Sequence, residues 1–210
     1  LYSTNPDKTI LSFPQKLAVA LQVACSLAYL HGQSPPIVHR DVRSPNVLLA
    51  SINPVVAKLS DYGLATMVDS KLSEGLLSFQ WLPPEVLSGA QYDESVDVYS
   101  LAMLMIELMA KRLPFVEKKQ FFHMFTTWTS YYCRLCGENN VCRQEEACLS
   151  NQVEKNETGE KLVWKEQLIK DAIVNGLRPD IPNYLPPRLV QLIESSWVKN
   201  PLLRPSAYNV

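Results

Sequence analysis

The sequence predicts a mainly α fold with one short β pair, and a few stretches carry that prediction. "SFPQKLAVALQVACSLAYLHG", "ESVDVYSLAMLMIELMAKR" and "PPRLVQLIESSWV" have the apolar content and end signals of helices. Between the first two, "VLLA" and "VVAKLS" are short aliphatic runs of the kind that pair as strands. No internal repeat interrupts the chain, and its 210 residues suit one domain with a core of useful size.

Each element has its own signal. Ser12 is placed to cap the first helix, Gln15 completes a capping box three residues on, and Gly32 ends it. Leu17, Ala20, Leu21, Ala24, Leu27 and Ala28 form its expected core face, and Cys25 reads as a core residue beside them. "PPIVHRDVRSPN" follows as a proline-punctuated loop, and residues 61–93 read as mostly loop. The run "VYSLAMLMIELMA" from Val98 is broken only by Glu107, and is too short to span a bilayer; it predicts a buried central helix. "LVWKEQLIKDAIVNG" predicts a further helix closed by Gly176. Residues 117–160 fit poorly, because connections inside compact domains run to ~4–6 residues and structureless loops beyond ~15 are uncommon. They are read as an insertion.

Composition excludes several function classes. Hydrophobic residues at 47% and charged residues at 20% describe a globular chain, and 20 basic against 21 acidic side chains leave a net charge of −1. That balance advertises neither nucleic acid nor an anionic membrane as partner. "LYSTNPDKTI" has no basic start and apolar middle of a signal peptide. Both ends read as cuts through a larger protein. Five cysteines without a secretory signal point to a reducing, cytoplasmic setting.

The chemistry gathers around "IVHRDVRSPNVLL", residues 37–49. Phosphoryl transfer from ATP asks little covalent work of a protein: a carboxylate to accept the proton of the attacking hydroxyl, and cations to neutralise the phosphates. Asp41 sits on a loop where a substrate could approach it. Asn46, five residues on, offers a neutral oxygen to a hard cation, and Asp61 in "LSDYGLA" offers a charged one. Arg43 can balance charge on the transferred group. A lone Asp between two arginines is more often a surface ion pair, so order and spacing have to carry the case.

They do. "HRDVRSPN", "DYG" twenty residues after Asp41, "WLPPE" ending at Glu85, "DVYS" at Asp97 and "RPS" at Arg204 resemble the C-terminal lobe of a eukaryotic protein kinase. Trp81 and "GLRPDIP", "LIESSWVKNP" and "RPS" resemble the tyrosine-kinase-like branch. "PPIVHRDVRSPN", the Tyr of "DYG" and "LSFQWLPPE" resemble the Roco kinases within it. The resemblance implies a helical lobe with a short β-hairpin carrying the catalytic and metal loops, cut at both ends. It implies Asp41 as catalytic base, Arg43 as phosphate-contacting cation, Asn46 and Asp61 as holders of Mg2+, and Leu48 as the floor under adenine above Leu104 and Leu108. His39 and Tyr62 would stack in the column that links the lobes, anchored by Asp97. Glu85 and Arg204 would form a buried structural ion pair. Arg40 would receive a phosphate carried on residues 61–85, with Thr66, Ser70, Ser73 and Ser78 as possible acceptors. Ser78 matches instead a hydroxyl that bonds the catalytic Asp. Protein Ser/Thr hydroxyls would be the substrate, and the parent would carry a GTPase domain.

Other parts of the pattern are absent from these 210 residues. The seven glycines, at 32, 63, 75, 89, 137, 159 and 176, make no G-x-G-x-x-G. "VVAK" at Lys58 mimics the kinase strand lysine but lies three residues before Asp61, on the strand that feeds the metal loop. The piece alone is therefore expected to be inactive, and a non-catalytic, pseudokinase-type interaction module is the rival reading. Cys133, Cys136, Cys142 and Cys148 form C-x2-C-x5-C-x5-C inside the insertion, a candidate Zn2+ site for which free thiols are the competing reading.

Overall fold

A computed structural model describes residues 11–61, 66–67, 79–115 and 170–210, with the backbone alone at 66–67. The predicted insertion with its four cysteines, and Tyr62, Ser70, Ser73 and Ser78, lie outside the described residues.

Helix α1 spans Phe13–His31, and the Ser12 amide donates to Gln15 Oε1 at 2.8 Å, the Gln15 half of the predicted capping box. Val19, Ala20, Val23, Ala24 and Leu27 face the core. Two expectations fail here. Leu21 is 60% exposed, and Cys25 lies on the solvent side next to Tyr29, itself 71% exposed. At about 100° per residue, positions 21, 25 and 29 share one stripe opposite the buried one. The helix is apolar nearly all round, so the partners packed against it select the inner face.

Those partners are the hairpin and the central helix. Strands β2 (Val47–Ile52) and β3 (Val55–Leu59) pair antiparallel from Val47↔Leu59 to Ile52↔Val55, with an irregularity between Leu49 and Ser51. β3 is an edge strand, and Gln22 of α1 satisfies it as a further strand would. Its Nε2 donates to Val55 O at 3.0 Å, and its Oε1 accepts from the Ala57 amide at 2.7 Å. Two-residue strands β1 (Ile37–Val38) and β4 (Thr66–Met67) form a second antiparallel ladder within stretches expected to be loop. The short helix α2 covers Pro84–Leu87.

Helix α3, Ser95–Ala110, is the buried axis: every residue from Val96 to Met109 is buried. This explains its continuous apolar run, since a helix with neighbours on all sides needs no polar face. It stops at Lys111, whose left-handed backbone (φ 56°) directs its amide to Glu107 O at 2.9 Å. The carbonyl of Met109 receives Tyr184 Oη at 2.5 Å and Lys16 Nζ at 3.4 Å. Burial, with Lys111 nearby, lowers the Lys16 pKa below the usual lysine value. A helical turn at 170–174 ends at Gly176, whose φ of 103° suits glycine alone. Helix α4, Pro187–Ser196, closes the bundle against α3.

Candidate active site

The site is assembled on α3. Asp97, fully buried near its start, accepts the His39 amide at 2.7 Å and the Arg40 amide at 2.8 Å, and His31 Nε2 lies 2.9 Å from the same carboxylate. A buried carboxylate is tolerated only with such donors. The pull on two successive amides accompanies a left-handed backbone at Arg40, φ 71°, a conformation that non-glycine residues adopt at a cost. The His39 ring accepts the Asp41 amide at Nδ1 (3.3 Å) and faces Ser60 O through Nε2 (3.1 Å), which selects the tautomer protonated at Nε2.

Asp41 is held from two sides. Arg43 Nε lies 3.0 Å from its carboxylate. Asn46 Nδ2 donates to the Asp41 carbonyl at 2.8 Å and to Asp41 Oδ2 at 2.6 Å. Both amide hydrogens of Asn46 are thereby used, so Oδ1 is the atom it can offer a cation. The Asn46 carbonyl accepts the amide of Ser60 at 2.8 Å and its hydroxyl at 3.0 Å. Ser60, the residue before Asp61, is thereby tied to the backbone of the "HRDVRSPN" loop. Asp61 is exposed and left-handed, φ 66°. The only non-glycine residues of these two loops with positive φ, among those described, are Arg40 and Asp61. Leu48, expected both to pack in the core and to floor a nucleotide, is 55% exposed on the hairpin, while Leu104 and Leu108 are buried. The core-packing half of that expectation does not hold, because pleating turns residue 48 away from its buried neighbour Val47.

On the other side, Arg204 grips Glu85 with Nη1 on Oε1 at 2.5 Å and Nη2 on Oε2 at 2.9 Å. Arg204 and Arg178 lie on the ring of Tyr99, each 5.2 Å from its centroid. Burial raises the Tyr99 pKa to about 12. Arg40 lies 5.6 Å from the centroid of Tyr92. Sequence reasoning did not assign roles to His31, Ser44, Tyr92, Tyr99, Glu107 or Arg178. For Glu107 a signal existed, as the single charge inside the apolar run.

The arrangement is a loop carboxylate, Asp41, held by the Asn46 amide and the Arg43 guanidinium, with Ser60 joining the same asparagine to the segment that leads to Asp61. A protein kinase domain profile matches residues 4–210, and the chain belongs to the protein kinase family. It is 32% identical over 90% of its length to the probable serine/threonine-protein kinase roco7 of Dictyostelium discoideum, of which it spans 6%. From the same organism, Cyclic GMP-binding protein C is 31% identical over 98% of this chain and the probable serine/threonine-protein kinase qkgA 32% over 98%. The chain spans 6% and 11% of those two proteins. Among the described residues no helix is long and apolar enough to cross a membrane, and no group of His, Cys, Asp and Glu is arranged to hold a metal by itself.

Proposed function

We propose that the chain is the C-terminal lobe of a Roco-like serine/threonine kinase of the tyrosine-kinase-like branch, and that its parent transfers the γ-phosphoryl group of ATP to protein Ser/Thr hydroxyls in the cytoplasm. The observation that carries this reading is the double hold of Asn46 on Asp41, with Ser60 binding the Asp61 segment to the same asparagine. Asp41 accepts the proton of the attacking hydroxyl, and Arg43 faces the transferred group. Asn46 Oδ1 and the Asp61 carboxylate would hold Mg2+, which with ATP supplies the activated phosphoryl group and neutralises its charge. The exposed Leu48 offers adenine an apolar surface on the hairpin. By the Roco resemblance, the parent would also carry a GTPase domain. The rival reading is a non-catalytic, pseudokinase-type interaction module, which would bind partners without transferring phosphate.

The test is transfer of labelled phosphate from ATP to a Ser/Thr peptide by the parent protein. Transfer lost in Asp41→Asn supports the reading; an Asp41→Asn variant as active as the unsubstituted protein overturns it.

A further inference from the structure

Gln15 and Gln22 stand seven residues apart on α1, two turns along one face, and both side chains end on the hairpin. Gln15 works at the turn: its Nε2 donates to Ile52 O at 3.1 Å and to Asn53 Oδ1 at 3.2 Å. Gln22 works on the outer edge of β3. Its bonds to Val55 O and to the Ala57 amide flank Val56, so one side chain fills the two edge positions that a neighbouring strand would take. A primary amide suits the place because it carries a donor and an acceptor side by side.

The two glutamines hold opposite ends of the hairpin. Val47 pairs with Leu59, Leu48 with Lys58 and Leu49 with Ala57, and the turn lies beyond Ile52 and Val55. Asn46 directly precedes β2, and Ser60 and Asp61 directly follow β3, so both leave the ladder at the end away from the turn. Ala57, which Gln22 holds, is next to the partner of Leu48 and four residues before Asp61. A two-stranded hairpin is marginal by itself and takes its placement from what it packs on. Here that support includes α1.

We propose that Gln22 is a positioning residue for the nucleotide: by acting as a third strand on β3 it fixes Leu48 and the approach to Asp61, whereas Gln15 fixes only the turn. The idea rests on the kinase reading for its purpose, but the hold on the hairpin is a property of the chain and can be measured without catalysis.

The experiment is amide hydrogen exchange on the whole 210-residue chain, read at Ala57, which donates to Gln22, and at Ser60, which donates to Asn46 O. Gln22→Met keeps the length of the side chain and removes both bonds. Exchange at Ala57 should rise about tenfold, the scale of one lost hydrogen bond, and exchange at Ser60 should rise several-fold with it. Gln15→Met is the control on the same helix face. It also loses bonds to the hairpin, yet should leave Ser60 at the unsubstituted rate. Should Gln22→Met not fold, Gln22→Glu takes its place with the same expectation at Ser60, since it loses the donor to Val55. An unchanged Ala57 would overturn the hold. A raised Ala57 with Ser60 untouched, or a Ser60 raised equally by both Met variants, would overturn the positioning role in favour of local contact or general loosening. In the active parent, Gln22→Met should raise the KM for ATP about tenfold, with the KM for peptide unmoved and neither changed by Gln15→Met. Looser exchange at Ser60 with an unchanged KM for ATP would overturn the proposal. Failure of the kinase reading shows differently, as Asp41→Asn without effect on transfer.

Discussion

Asn46 spends both hydrogens of its amide on Asp41, one at the backbone carbonyl and one at the carboxylate. The asparagine is therefore a clamp as well as a candidate cation ligand. Asn46→Ala should cost activity in the parent even at saturating Mg2+, by about 10²-fold or more in kcat, the scale of a misplaced general base. Asn46→Asp should not restore it, because a second carboxylate beside Asp41 replaces attraction with repulsion. Steady-state kinetics across a Mg2+ titration would check both: recovery of Asn46→Ala at high Mg2+ would assign the residue to metal binding alone.

The Glu85–Arg204 pair makes a stability prediction. Arg204→Ala leaves a buried carboxylate without its counter-charge, and the loss should be about 3–5 kcal/mol. Arg204→Lys, with a point charge in place of a fork, should fall between. Urea unfolding of the three chains measures it, and a loss under 1 kcal/mol would contradict the buried-pair account.

Tyr99 should respond differently to two substitutions. Among the described residues its hydroxyl has no hydrogen-bond partner, though it is fully buried. Tyr99→Phe should leave stability unchanged or raise it, while Tyr99→Leu loses the ring that Arg178 and Arg204 contact and should cost about 1–3 kcal/mol. Alkaline pH adds a check with a defined sign. Burial raises the folded-state pKa from 10.0 to about 12, so the folded chain keeps a proton that the unfolded chain releases. The associated stability is fully present below pH ~10 and is lost as pH climbs towards ~12, up to roughly 2–3 kcal/mol. Tyr99→Phe lacks this component, so its advantage over the unsubstituted chain should grow across that window; parallel curves would refute the assignment.

The 210 residues by themselves should show no measurable turnover. A surviving general base is worth ~10²–10⁴-fold, which cannot replace the missing placement of the triphosphate. Phosphate incorporation by the isolated chain, abolished in Asp41→Asn, would contradict this.

Much of this was legible in advance. The capped start of α1, the hairpin, the apolar axis and the roster "HRDVRSPN", "DYG", "WLPPE", "DVYS" and "RPS" could be read from local spacing. Local spacing is enough for a cap, a turn or a loop motif, because the partners lie within a few residues of each other. It failed where the partner was remote. Cys25 and Leu21 have the same helical spacing as true core residues, yet α3 and β3 pack against the opposite stripe. Leu48 sits in an aliphatic run with Val47 and Leu49, but pleating turns it outwards.

What the sequence by itself determined is the family and the order of its chemical groups, since those reside in contiguous motifs. What only the tertiary structure decided is which polar groups become buried and what meets them: Glu107 with Ser44 and Trp81, 63 and 26 residues away, and the Tyr99 ring with Arg178 and Arg204. The reason is desolvation. A carboxylate taken out of water is defined by the donors that surround it, and those donors are chosen by the packing of the chain around α3.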